Sequence, residues 1–185
     1  MIISISGKPG SGKSTVAQKV ADKLGYKRYY IGGLRREAAR KRGMTIEEYN
    51  KLGETDPSTD KEVDEYQERL GLEKDDFVIE GRTSFLFIPH SLKVYLDVDL
   101  KEAARRIHDD EKKGGGRNER TFRTVEETEQ NLKDRIASDR RRYKKYYGTD
   151  CYDTANYDVV VDTTHLTPDE AVEKVLAKAR ERNNI

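Results

Sequence analysis

Gly7-Lys8-Pro9-Gly10-Ser11-Gly12-Lys13-Ser14-Thr15 follows the spacing G-x-x-x-x-G-K-[ST]. Each position suggests one part of a single chemistry. Glycines at 7, 10 and 12 permit backbone angles and close approaches that a side chain would block. Successive N–H groups can then turn inward around an anion, at the positive end of a helix dipole. Lys13 would reach the β- and γ-phosphates of a nucleoside triphosphate as a point charge, and the Ser14 hydroxyl would ligate Mg²⁺. An ordinary glycine turn at the end of a strand would not carry four matching positions in this setting. Binding of ATP along residues 7–15 is the expectation.

Other charged residues can be set against that loop. Glu80 closes a β-branched segment, and parallel-sheet enzymes hold ligands outside the carboxyl ends of their strands. Beside it, Gly81 allows close approach and Arg82 offers a planar donor fork for a phosphate. Alone, Glu80 and Arg82 read equally well as a salt-bridged strand end. Further along, Arg135, Asp139 and Arg142 share one helical face at i, i+4 and i+7. They border an apolar stripe of Val125, Leu132, Ile136 and Tyr143 that would dock on the core. The bland alternative is a salt-bridge ladder worth roughly a few tenths of a kcal/mol per pair. Arg36, Arg117 and Arg120 add cations on segments that can move, which suits phosphoryl transfer, a chemistry that depends on charge placement. The tyrosines at 29, 30, 146, 147 and 152 read as packing residues. His108 and His165 read as surface residues without metal-ligand spacing, and Cys151 is assigned no chemistry.

The elements that must position these residues follow from local signals. Short β-branched or aromatic runs predict strands at 1–6, 27–31, 77–80, 93–98 and 159–161. A helix should open at Lys13 or Ser14, and Gly32-Gly33 should close the second strand before a helix over 34–40. Thr45 with Glu48, and Thr124 with Glu127, have capping-box spacing. Val63, Tyr66, Gln67 and Leu70 recur at helical spacing up to a stop at Gly71. Residues 33–71 are therefore a charged helical excursion, suited to a movable substrate-gripping flap. Gly114–Gly116 is a hinge candidate ahead of one long helix over 124–147, and Thr167-Pro168 launches the last. This order predicts a parallel sheet covered on both faces.

Composition sets limits. The 185 residues suit one domain, and 36 basic against 35 acidic residues leave a formal charge of +1. That balance gives no global reason to expect nucleic acid or an anionic membrane surface. One cysteine excludes an intrachain disulfide framework and suits a reducing cytosol. No leader is expected, since the loop begins at residue 7, and no apolar run approaches membrane-spanning length. At 38% charged residues, the composition resembles that of hyperthermophilic proteins.

Taken together, residues 7–15, Arg36, Glu80-Gly81-Arg82, Tyr95-Leu96-Asp97 and Arg135-x-x-x-Asp139-Arg140-x-Arg142 resemble the nucleoside monophosphate kinase superfamily. Within it they are similar to the cytidylate kinases, especially the short archaeal form, over nearly the whole chain. The resemblance implies an α/β P-loop NTPase fold, a five-stranded parallel sheet flanked by helices. It also implies a helical acceptor-binding insert at 33–71 and a lid at 113–122. By the same resemblance Arg36, Gly81 and Arg82 hold the acceptor's monophosphate, Asp139 and Arg142 read the cytosine edge, and Arg135 grips the nucleotide. Lys13, Arg117, Arg135 and Arg140 are the implied catalytic residues. Arg117 and Arg120 close over ATP, and Ser14 holds Mg²⁺ with Glu80, directly or through water. Thr83-Ser84 stands where bacterial members usually show an Asp, and the insert is shorter than theirs.

The implied reaction is transfer of the γ-phosphoryl group of ATP to CMP or dCMP in the cytoplasm, by a monomer. One rival is the same fold acting on AMP, UMP or a small hydroxyl metabolite, the last needing Glu80 or Asp97 as base. An NTP-hydrolysing switch protein is disfavoured by the lack of an Asn-Lys-x-Asp motif. An RNA-binding module would rest only on the basic run at 140–145.

Overall fold

The computed structural model describes residues 1–113 and 122–183. Five strands, Ile2–Gly7 (β1), Lys27–Tyr30 (β2), Phe77–Glu80 (β3), Leu92–Asp97 (β4) and Val159–Asp162 (β5), form one all-parallel sheet. Their spatial order is β2-β3-β1-β4-β5. The fold class expected from sequence is therefore the one found. Alternation along β1 divides the core. Ile3 and Ile5 join Val78, Val94, Leu96 and Val161 on one face, while Ile2 joins Phe77, Ile79 and Tyr29 on the other. The first face is covered by helices Lys13–Leu24 (α1) and Pro168–Asn183 (α8), through Val16, Val20, Val172 and Val175.

Register brings the chemistry to one edge. Ile5 and Tyr30 both pair with Glu80, and Gly7 pairs with Leu96. The carboxyl ends of four strands thus open beside the glycine loop. Gly7 has a φ of 143°, and a Cβ there would lie 2.1 Å from the Leu96 carbonyl oxygen. No other residue lets β1 turn against β4 so closely.

The excursion between β2 and β3 is three helices, Ile31–Lys41 (α2), Ile46–Gly53 (α3) and Ser58–Glu73 (α4). Two boundaries differ from expectation. Gly32 and Gly33 lie inside the first turn of α2 and do not close β2. Gly71 does not stop α4, which runs on to Glu73; the glycine lets the helix cross Ile88, whose side chain would stand 3.0 Å from a Cβ. The insert also buries more than its charge suggests. Ile46, Tyr49 and Leu70 are buried, together with Arg35, Asn50, Asp60 and Gln67.

After the short helix Ser84–Phe87 (α5) and β4 come Leu100–Lys112 (α6) and the long Val125–Tyr147 (α7). Thr45 and Glu48 form a complete capping box on α3. On α7 only half of the box is present. Thr124 accepts from the Glu127 N–H, but the Glu127 carboxylate accepts from Arg123 N–H rather than from Thr124. His108, expected at the surface, is buried one turn beyond Ala104 on the face of α6 that packs with α7. The hinge candidate Gly114–Gly116, Arg117, Arg120 and most of the expected lid 113–122 fall outside the described residues.

Candidate active site

The loop between β1 and α1 borders a cleft of about 310 Å³ at the carboxyl edge of the sheet. Pro9, Gly10, Gly12, Lys13, Ser14 and Thr15 line it, whereas Gly7, Lys8 and Ser11 support it from behind. Lys8 points away, with its ammonium 2.6 Å from Asp97 Oδ1 and donating to the Val98 carbonyl at 3.2 Å. It ties the loop to β4. The Lys13 ammonium folds over the loop and donates to the carbonyls of Gly7 at 2.9 Å and Lys8 at 2.6 Å. Burial, then the nearby Arg82 charge, push it down to about 7 despite the opposing Glu80 carboxylate.

Glu80 is 3% exposed and fully engaged at this edge. Its Oε1 accepts from the Ser14 hydroxyl at 2.8 Å, and its Oε2 accepts from Arg28 Nε at 3.2 Å. Two hard oxygen donors, one hydroxyl and one carboxylate, therefore sit together beside Lys13. Among the described residues no group of three or more His, Cys, Asp or Glu side chains could hold a metal by themselves.

Across the cleft stand Arg36, Arg82 and Arg135. Arg36 Nη1 donates to the Tyr30 hydroxyl and to the Gly32 carbonyl. Arg82 has its Nε 3.0 Å from Asp139 Oδ2. Its Nη groups have no hydrogen-bond partner among the described residues, and they belong to a residue that lines the cleft. Four cations thus converge on one opening, with Glu80 the carboxylate nearest the loop. Such an arrangement is unfavourable when empty and complementary to a run of phosphates.

Asp139 itself is enclosed. It is 0% exposed, and both oxygens are taken. Oδ1 accepts from Arg142 Nη2 at 3.2 Å, and Oδ2 accepts from the Tyr152 hydroxyl at 2.7 Å while facing Arg82. Burial alone would raise its carboxyl, but Arg82, Arg142 and Arg135 together hold it below the usual range. Arg142 is equally enclosed, bonded to Asn50, Asp139 and Tyr143 and 3.4 Å from Asp60.

A model described as the cytidylate kinase-like family matches residues 2–165. The chain belongs to that family. It is 36% identical over 170 residues to the cytidylate kinase of Pyrococcus furiosus, covering 91% of this chain and 83% of the relative. With the cytidylate kinase of Methanocella arvoryzae it is 37% identical over 164 residues, covering 89% and 88%. Among solved structures, shikimate kinase from Bacteroides thetaiotaomicron superposes with a TM-score of 0.63 at 14% identity, covering 100% and 99% of the two chains. That likeness is one of fold.

In this member of the cytidylate kinase-like family, Lys13, Ser14, Thr15, Arg36, Glu80, Gly81, Arg82 and Arg135, all candidates from the sequence, line one cleft. Two expectations differ from the placement found, and a third falls outside it. Asp139 and Arg142 do not line the cleft, because hydrogen bonds with Asn50, Tyr143 and Tyr152, ion pairs with Arg82 and Asp60, and the docking of α7 consume them. Arg140 turns to the far side of α7, its Nε 3.0 Å from Asp150 and its guanidinium over the Tyr152 ring. Arg117 and Arg120 lie outside the described residues. The rest of the basic run is also engaged within the chain, Arg141 with Glu54 and Lys144 with the Gly148 carbonyl.

Sequence reading missed Asp60 and Asp64 on α4, Arg35, Thr83, Tyr143 and the half-exposed Tyr30, all of which line the same cleft. A signal existed in α4. Asp60 and Asp64 fall one turn apart on the face that continues through Gln67 and Leu70, both buried. Carboxylates in the seam of a helix are not a solvated face.

Proposed function

We propose that this chain transfers the γ-phosphoryl group of ATP to CMP, giving ADP and CDP. One observation carries the reading. The phosphate loop faces Arg36, Arg82 and Arg135 across a single cleft, in a chain whose curated relatives bear the name cytidylate kinase. The loop amides and Lys13 would hold the β- and γ-phosphates of the donor. The second cavity, lined by Thr15, Arg106, Thr163 and Thr167, continues from the loop and suits the donor base.

Arg36 and Arg82 would hold the acceptor monophosphate, with Arg135 between the two substrates as the transferring group passes. A phosphate oxygen of CMP is already a competent nucleophile, so no general base is needed. Alignment, exclusion of water and cationic stabilisation of the spreading charge supply the acceleration. Asp139 acts through Arg82, fixing the fork that binds phosphate, and does not touch the base.

Ser14 and Glu80 fit Mg²⁺, which takes one or two protein oxygens and otherwise phosphate oxygens and water. The Ser14 hydroxyl would ligate directly and Glu80 Oε1 through water, since Oε2 is held by Arg28. When bound, the ion would neutralise charge on the β- and γ-phosphates. Residues 33–71 serve in this reading as the acceptor-binding insert and 113–122 as the lid. No helix among the described residues is long and apolar enough to cross a membrane.

The deciding experiment is a coupled assay of CMP, dCMP, UMP, AMP and shikimate against ATP and Mg²⁺. CMP or dCMP should give the highest kcat/KM. Turnover of AMP or shikimate above both would sink the assignment.

A further inference from the structure

We propose that Asp64, on the acceptor insert, is the residue that distinguishes cytosine from uracil. The inference rests on the reading of the chain as a nucleoside monophosphate kinase and assigns its base choice. Cytosine presents an amino donor where uracil presents a carbonyl oxygen, so the discriminating group must be an acceptor with an unoccupied lone pair on the cleft. The carboxylates that border the cleft can be compared one by one. Glu80 is taken by Ser14 and Arg28, and Asp60 by Arg35 and Arg142. Asp110 lies on α6, beside Arg106 and Ile107, on the donor side.

Asp64 differs from all three. Its Oδ2 accepts from the Tyr147 hydroxyl, while its Oδ1 has no partner among the described residues and remains accessible. No cation forms an ion pair with it there. Val63, Ile31 and Tyr143 give the cleft apolar walls that suit a flat ring. Tyr147 is held in turn by an edge contact with Phe87 at 5.5 Å and by stacking on Tyr143 at 5.8 Å. The carboxylate is thus aimed by a fixed hydroxyl, with one oxygen left for a ligand.

The groups around it make its charge conditional. Burial pushes the Asp64 carboxyl up to about 7, the Tyr147 hydroxyl opposes this, Asp60 adds to it, and Arg35 and Glu68 act in opposite directions with smaller weight. Ionised, Asp64 accepts from the cytosine amino group. Protonated, its O–H donates to the uracil carbonyl oxygen at the same place. Base preference should therefore shift with pH, toward CMP above about 7 and toward UMP below it. The acceptor phosphate titrates alike in both nucleotides and cancels from their ratio.

The test is the ratio of kcat/KM for CMP and UMP from about pH 6 to about pH 8, in wild type, Asp64→Asn and Tyr147→Phe. The wild-type ratio should rise with pH. In Asp64→Asn it should fall by roughly ten- to hundredfold at the upper pH and lose its pH dependence, because an amide turns either way and does not titrate. Tyr147→Phe removes the hydrogen bond that favours the ionised form, so the rise should move to higher pH. An Asp64→Asn enzyme with the wild-type ratio and pH response would overturn the proposal. So would a flat wild-type ratio. If neither pyrimidine nucleotide is phosphorylated by wild type, the kinase reading itself fails, which is a different result.

Discussion

The two walls of the cleft are built on opposite principles. The wall proposed to take the donor is nine consecutive residues that would act through backbone N–H groups, one ammonium and one hydroxyl. The wall proposed to take the acceptor draws Arg36, Asp64, Arg82 and Arg135 from α2, α4, the end of β3 and α7. It aims them with a buried charge network of Arg35, Asp60, Asp139 and Arg142. The first wall is specified by local geometry and the second by tertiary packing. Binding any triphosphate needs only the first, whereas choosing an acceptor needs the second.

The sharpest break of the donor wall is Lys13→Met. Loss of a point charge aimed at the transferring group should lower kcat by about 10²–10³-fold or more. The ligand-free protein should become more stable, because the ammonium it loses is buried among like charges. The sign follows from linkage. The Lys13 pKa falls on folding from 10.5 to about 7, so the unfolded chain binds more protons between those values. Wild-type stability from this group accordingly rises with pH across that window, and the gain from Lys13→Met is greatest below about pH 7. Calorimetry and single-turnover assays on one preparation would check both; unaltered turnover would remove the loop from the mechanism.

On the acceptor wall the corresponding break is Asp139→Asn. It leaves the buried Arg142 and the cleft-lining Arg82 beside an amide, and breaking a buried pair in this way costs about 3–5 kcal/mol. The folded Asp139 pKa lies below its ordinary value. Its stabilisation is therefore present above the unfolded pKa and is lost as pH falls through the folded one. Denaturant unfolding should show the wild-type and variant curves converging in acid. The acceptor KM should rise through misplacement of Arg82, with the CMP to UMP ratio unchanged. A changed ratio would return the base to Asp139.

Those two sites also show what was legible in the chain. The sheet, its parallel sense and the loop could be read because β-branched runs, glycines and caps act within a few residues of themselves. Asp139 was correctly placed on the face with Arg135 and Arg142, but whether that face met a ligand or Tyr152 depended on a segment thirteen residues further on. Asp64 was invisible for the same reason. In sequence it is one carboxylate among many on α4, and only the approach of Tyr147 from α7 singles it out. His108 was misjudged because its burial is decided by α6 meeting α7.

A milder break separates phosphate grip from charge. Arg82→Lys keeps the cation but loses the planar fork and the contact with Asp139. The acceptor KM should rise by roughly ten- to a hundredfold, the fold-change of one charge-assisted hydrogen bond, while the KM for ATP stays within about twofold, the ordinary scatter of an untouched site. Steady-state kinetics varying each substrate in turn would decide. A change confined to ATP would move Arg82 to the donor wall.

The smallest effect is expected where the acceptor insert meets α7 at the surface. Glu54, just past α3, accepts from Arg141 Nη2 at 2.9 Å, Arg141 Nε at 3.2 Å and the Ser138 hydroxyl at 2.6 Å. Its pKa is lowered, first by Arg141, then by Ser138 against a burial effect that opposes them. The stabilisation therefore exists above the unfolded pKa and fades as pH falls through the folded one. By geometry this is the best-formed ion pair between the two elements, yet Arg141 is 61% exposed and water competes for it. Exposed pairs are worth about 0.2–1 kcal/mol, and salt screens them further. Glu54→Gln should thus lower stability by less than about 1 kcal/mol at neutral pH, less again at high salt, and leave kcat near the wild-type value. If the insert were instead latched to α7 by its surface charges, Glu54→Gln would rival Asp139→Asn in stability and raise the acceptor KM with it. Comparing the two variants in low and high salt separates a wall held by its buried network from one held by its rim.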